Sequence, residues 1–247
     1  MAKYLVTVAY DGGFYCGWQS QKHEEAIQDI ITAKLRQFFD EPNLKIFGSG
    51  RTDAGVHAKG QTFHFETKKQ FEHDRFLYSL NMMLPNDIQF LHIREVPRTF
   101  HARLSASGKH YRYLISTGKG DPFQYRYRYE LKRALDITKM KTALMDFVGE
   151  HDFRSFTNKE SDFQNYVRTI FKAEISEENE QITIDFYGSG FMRSQVRMMV
   201  GILIEIGLLH LKEDSVKQLI EQPIHPPRVL KSPAQGLYLM EVFYESL

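Results

Sequence analysis

The sequence predicts an α+β fold made of two ferredoxin-like halves. Three observations carry that prediction. Hydrophobic periodicity switches between two and 3.6 residues along the whole chain. The order β-α-β-β-α-β occurs once over residues 1–105 and again, more loosely, over 106–247. No long linker separates the two runs, so the two sheets are expected to join in one central, mixed and mainly antiparallel sheet with a cleft.

Each element has its own signal. Residues 3–9 read as a strand. Residues 25–39 place Ile27, Ile30, Ile31, Leu35 and Phe38 on one helical stripe. Strands follow at 44–48 and 60–66; in the second, Phe63 and Phe65 alternate with Thr62, His64 and Glu66. A helix over 73–83 and a strand over 87–95 complete the first half. The second half opens with a strand at 109–117 and a helix at 136–148 carrying Ile137, Met140, Leu144 and Phe147. Strands at 167–176 and 181–187 flank an acidic turn. A helix over 190–210, a short one over 213–221 and a strand over 236–244 close the chain.

Composition excludes several classes. Of 247 residues, 42% are hydrophobic and 26% charged, which is globular and neither disordered nor fibrous. Lys plus Arg number 32 against 31 Asp plus Glu, a net charge of +1, so the chain does not coat nucleic acid by bulk charge. The single Cys16 makes no intramolecular disulfide and no Cys-rich zinc site, and the ten histidines lack metal-ligand spacing. The longest apolar run, Met198–Leu209, is broken by Glu205, and the N-terminus lacks the apolar core of a signal peptide. A soluble, cytoplasmic protein with no membrane association is expected.

The charge is unevenly spread. Between Arg94 and Arg133 lie ten basic and three acidic residues, a local excess of +7, interleaved with Phe100, Tyr111, Tyr113, Phe123, Tyr125, Tyr127 and Tyr129. Cations hold phosphates and rings stack on bases, so this is the composition of a nucleic-acid groove. A solvated strand face with an aromatic core behind it has the same composition.

One segment carries chemistry. Gly48–Ala58 frames Arg51-Thr52-Asp53 with three glycines after a short apolar strand. Alternate residues of an extended segment share a face, so Arg51 and Asp53 are expected on one side. A carboxylate beside a cation stays ionised and serves as nucleophile or base. The same residues also suit a plain turn closed by an Arg–Asp pair. His57 is expected to brace the loop and Trp18 to pack in the core or against a loop.

The segment Gly50–Ala58 (GRTDAGVHA) resembles the active-site motif of the tRNA pseudouridine synthase A family, and further motifs follow in register. Tyr10-Asp11-Gly12 with Gly17-Trp18-Gln19 resembles that family's N-terminal stretch. So do Phe100-His101-Ala102-Arg103, Tyr111-Arg112-Tyr113 with Ile115, and Asp152-Phe153 with Ser155-Phe156. Arg168-Thr169-Ile170, the run Gly190-Phe191-Met192 to Val196-Arg197 and Val200-Gly201, and Pro233-Ala234 with Gly236–Leu239 complete the set. The resemblance covers nearly the whole chain. One departure is Met198-Met199, where an Asn-Ile pair is common; it is expected to alter packing only.

The resemblance implies the pseudouridine synthase fold and isomerisation of uridine to pseudouridine at positions 38, 39 and 40 of the tRNA anticodon stem-loop. It implies a homodimer that uses no cofactor and no metal, with tRNA as partner. It implies that Asp53 is the catalytic residue. Tyr111 corresponds to the tyrosine that packs on the target base, Arg51 to the arginine that flips or holds the nucleotide, and Arg197 to a cation that pairs with the catalytic aspartate. Arg103 and Lys109 are assigned to RNA contact. Two other functions are consistent with parts of the sequence. A silent RNA-binding protein of two RRM-like halves would not need Asp53, and a carboxylate-based glycosyl hydrolase would need a second acid that the motif lacks.

Overall fold

The computed structural model describes residues 1–22, 24–158, 165–224 and 229–245. In the first part of the chain the elements are β1 (Ala2–Tyr10), α1 (Ile27–Phe39), β2 (Ile46–Gly48), β3 (His57–Thr67), α2 (His73–Met83) and β4 (Ile88–Val96). They are followed by β5 (Gly108–Ser116), β6 (Tyr129–Glu130), α3 (Ile137–Met145), β7 (Gly149–Asp152), β8 (Val167–Glu178) and β9 (Gln181–Gly188). Helices α4 (Gln195–Gly207) and α5 (Ser215–Glu221) precede the last strand, β10 (Leu237–Phe243). The chain is therefore mixed α+β. It divides into two compact units, Met1–Ser107 with Leu239–Leu247, and Gly108–Tyr238.

In the first unit β1 lies between β3 and β4 and is antiparallel to both. Strand β2 also pairs with β3, as does β10, whose residues from Leu239 onward belong to this unit. The register sets Tyr4 opposite Phe65 and Val6 opposite Phe63. Helix α1 buries Ile27, Ile31, Leu35 and Phe39, the 3.6-residue stripe its sequence encodes, and ends where Asp40 turns left-handed (φ 52°). The Glu72 carboxylate caps α2 by accepting from the Asp74 and Arg75 N–H groups at 2.8 and 2.7 Å. The ring of Phe76 on α2 then reaches Phe38, Phe39, Phe65, Phe71 and Phe90, all within 6.1 Å between centroids. This aromatic cluster joins the helices to the sheet and holds β3 in place behind the Asp53 loop.

In the second unit β9 pairs antiparallel with β5 on one side and β8 on the other, and β7 borders β8. The two-residue β6 runs parallel to the end of β5, which makes this sheet mixed. Tyr111 stands opposite Phe186 and Tyr113 opposite Ile184. The acidic turn between β8 and β9 is a two-residue hairpin with Asn179 and Glu180 both left-handed, at φ 49° and 62°. Helix α4 buries eleven of its thirteen residues, so it reads as the central helix of the unit, with α3 packed against it.

Three expectations need correction. The helix expected over 190–210 covers only Gln195–Gly207, because Ser194 (φ 60°) and Leu209 (φ 63°) are left-handed and break the helical backbone just outside each end. Strand β3 starts at His57 rather than residue 60, in a stretch without apolar alternation. Strands β6 and β7 were not expected at all. They span two and four residues, too short for a period to show.

Candidate active site

The loop from Ser49 to Val56 is anchored by side chains that point inward. Gln61 on β3 is fully buried and serves the start of the loop. Its Oε1 accepts from the Ser49 hydroxyl at 2.6 Å and the Thr62 N–H at 3.0 Å, and its Nε2 donates to the Gly50 carbonyl at 3.1 Å. In the middle of the loop burial alternates as the spacing requires: Arg51 exposed, Thr52 buried, Asp53 half-buried. The Thr52 hydroxyl lies 2.9 Å from the Tyr10 phenol at the end of β1. Burial pushes that phenol well above its ordinary pKa, so it remains a neutral hydroxyl at physiological pH.

A second chain segment supports the loop from outside. The Trp18 N–H donates to the Thr52 carbonyl at 3.3 Å. Gly17, just before it, has φ +108°, and a Cβ there would lie 2.4 Å from the same carbonyl oxygen. Only glycine allows this approach. The indole of Trp18 is buried between Tyr10 and Phe63, with ring centroids 6.1 Å away on each side. Beyond Asp53, the Val56 N–H closes a turn onto the Asp53 carbonyl at 3.2 Å. The buried His57 Nδ1 is 3.1 Å from the Gly12 N–H and 3.0 Å from Asp11 Oδ1. Protonated, it donates to Asp11; unprotonated, it accepts from Gly12. Either way it ties the turn after β1 to the end of the loop.

Asp53 thus sits on a backbone held from three directions, by Gln61, by Tyr10 with Trp18, and by His57. A carboxylate fixed in this way needs little reorganisation when it reacts. Tyr10→Phe is expected to cost about 1 kcal/mol of stability in urea unfolding, since the Thr52 hydroxyl loses its buried partner. Gln61, Tyr10, Thr52 and Asp11 were not picked out as site residues from the sequence. Tyr10, Asp11 and Thr52 stood in the motifs without a role, and Gln61 lay outside them, because the Tyr10–Thr52 contact spans 42 residues and forms only when the strands pair.

The other expected residues fall as follows. Arg103 is also in the first unit, exposed on the turn after Phe100. Lys109 and Tyr111 belong to the second unit, on one face of β5, at the positions paired with Gly188 and Phe186. Tyr111 is buried, with Phe191 packed edge-on against its ring at 5.1 Å and 79°. Arg197 is one of the two residues of α4 that are not buried, the other being Glu205. Its Nε donates to the Ser232 carbonyl at 2.8 Å, and its own carbonyl accepts from the Ser232 N–H at 3.0 Å. One turn further on, Gly201 lets the following segment lie against the helix, since a Cβ there would be 1.8 Å from the Leu230 oxygen. Met198 and Met199 are buried in the same helix. Among the described residues no group of histidine, cysteine and carboxylate side chains could hold a metal ion, and no helix is long and apolar enough to cross a membrane.

Comparison with known proteins supplies the family. The sequence profile of a family described as tRNA pseudouridine synthase matches residues 6–104 and 143–245, which includes the whole Asp53 loop and α4. The chain is 40% identical over 250 residues to a tRNA pseudouridine synthase A of Levilactobacillus brevis, covering 99% of this chain and 94% of the relative. A protein of the same name from Limosilactobacillus fermentum is 39% identical, covering 100% of this chain and 97% of its own length. One from an Exiguobacterium species is 39% identical over the full length of both. A profile spanning most of the chain, together with relatives aligned end to end, settles the question: the chain belongs to the tRNA pseudouridine synthase family.

Proposed function

We propose that this enzyme isomerises uridine to pseudouridine at positions 38, 39 and 40 of the tRNA anticodon stem-loop, with Asp53 as the catalytic residue. The observation that best supports this reading is the half-buried Asp53 carboxylate on a loop clamped by buried side chains. The reaction breaks the bond from the sugar C1′ to N1 of the base, rotates the base and forms a bond from C1′ to C5. The C5 proton is lost and N1 gains one, so the product has the same composition as the substrate. An ionised Asp53 would serve by attacking sugar or base, or by removing a sugar proton.

Substrate binding falls to Arg51, Arg103, Lys109, Tyr111 and Arg197 in this reading. A base inside a stem must leave the stack before it can react, which costs a few kcal/mol offset by stacking and phosphate contacts. Arg51, exposed two residues before Asp53, is suited to hold a displaced nucleotide. Serving three neighbouring positions calls for recognition of RNA shape through phosphates rather than base edges. The N-terminal half (1–105) supplies the catalytic loop, and the C-terminal half (106–247) supplies Lys109, Tyr111 and Arg197. The working form is proposed to be a cytoplasmic homodimer, which light scattering of the purified protein tests.

The direct experiment incubates the protein with unmodified tRNA transcripts and maps pseudouridine by position. Conversion at 38–40 is the expected result; uridine left intact there overturns the reading. Binding should also weaken steeply with salt, with a slope of about +3 or steeper in log Kd against log salt, because several phosphates are neutralised. A flat response in filter binding would remove the role of the basic stretch.

A further inference from the structure

We propose that Phe47 is a stacking platform for an unpaired base of the substrate tRNA, set beside the Asp53 loop, with Arg103 placed to hold the adjoining phosphate. The proposal rests on the reading of tRNA as substrate and adds to it a contact site outside the Gly50–Ala58 motif.

The geometry begins with β2, which is only three residues long and leads directly into Ser49. Its middle residue, Phe47, is a large apolar side chain left 47% exposed. The ring is not loose. It lies nearly parallel to the His64 ring of β3, with centroids 5.1 Å apart and an interplanar angle of 18°. His64 is itself buried at 3% exposure, and its Nδ1 accepts from the Ala102 N–H at 3.1 Å. Burial, helped by nearby His101 and Lys3, holds the His64 imidazole down to about 4, so it is a neutral acceptor at physiological pH. One face of Phe47 is therefore fixed against a rigid, uncharged ring, and about half of the side chain remains open to solvent.

Beside it stands the turn that follows Phe100. The His101 ring is 4.7 Å from His64 and 6.0 Å from Phe47. Its Nδ1 accepts from the Arg103 and Leu104 N–H groups at 3.2 and 3.4 Å, which fixes the turn. Arg103 is exposed, and Leu104 is 80% exposed. The Tyr244 hydroxyl, one residue past β10, donates to the Ala102 carbonyl at 2.9 Å and anchors the same turn. The outcome is a preorganised surface with a half-exposed aromatic ring and a cation on adjoining backbone, continuous in sequence with exposed Arg51. Aromatic faces stack on bases of any identity, and an adjacent arginine takes the phosphate. Charge complementarity selects a nucleic acid over an apolar partner.

The test uses the full-length protein and unmodified tRNA transcript in filter binding. Phe47→Leu keeps an apolar cover on His64 but removes the aromatic face, and it should weaken binding roughly tenfold, the loss of one base stack. Phe47→Tyr restores the ring and should bind within about twofold of wild type. Phe47→Trp adds a half-exposed indole to a protein whose one native tryptophan, Trp18, is buried. Its fluorescence should be quenched when tRNA is added. Equal affinity for wild type and a folded Phe47→Leu protein overturns the proposal, as does an unquenched Phe47→Trp. Should Phe47→Leu fail to fold, the fluorescence readout decides alone. A wild-type protein that makes no pseudouridine in tRNA refutes the functional reading. An active wild type whose Phe47→Leu variant binds equally well refutes only the platform.

Discussion

Asp53→Asn is expected to slow pseudouridine formation by at least about a thousandfold while leaving tRNA affinity nearly unchanged. Asparagine matches aspartate in shape, and the loop around it is held by groups that the substitution does not touch. The Thr52 hydroxyl still meets Tyr10, Gln61 still holds Ser49 and Gly50, and the Asp53 carbonyl still accepts from Val56. What is lost is the negative charge and with it any capacity to act as nucleophile or base. Single-turnover assays with enzyme in excess measure the chemical step, and filter binding measures affinity. A rate within tenfold of wild type would remove Asp53 from the chemistry.

Gly17→Ala should unsettle the same loop from behind. With φ at +108°, an alanine at this position is strained before any contact is considered, and its Cβ would meet the Thr52 carbonyl oxygen at 2.4 Å. The Cβ is fixed by its own backbone and the oxygen is backbone, so neither can yield by rotating a side chain. The combined cost is about 3 kcal/mol, visible as a lower urea midpoint. Relief by moving the loop would displace Asp53, and a shift on the order of 1 Å in a reacting group costs about a hundredfold in rate. A variant with wild-type midpoint and rate would show that the close approach of Gly17 to Thr52 has no bearing on the site.

The sequence made the helices and the longer strands of both units legible because their apolar residues repeat with a clear period. Ile27, Ile31 and Leu35 announce α1, and Phe63 and Phe65 announce β3. The ends of elements were less visible. Whether α4 begins at Gly190 or Gln195 depends on one left-handed residue, Ser194, which hydrophobic spacing does not record. The loop was legible as chemistry because its glycines, arginine and aspartate lie within a few residues of one another. Of its supports only His57, within the motif itself, was legible; the Tyr10 contact was not, since Tyr10 and Thr52 are 42 residues apart and meet only once β1 and β3 pair. Phe47 escaped notice for a related reason. In a short apolar strand it looks like a core residue, and only its 47% exposure in the folded chain shows that part of its ring is open to solvent.

The route of the chain has a consequence for biogenesis. β10 joins the sheet of the first unit only after the whole of Gly108–Tyr238 has intervened. During synthesis β3 therefore emerges with β2 covering only Phe63–Phe65 of the edge away from β1, and Gly60 waits for the Met240 carbonyl that will lie against it. The nascent N-terminal unit cannot complete its sheet until almost the entire chain has left the ribosome. An interrupted translation product would carry the Asp53 loop on an open-edged sheet, a species suited to chaperone capture or degradation rather than to release as a working RNA enzyme.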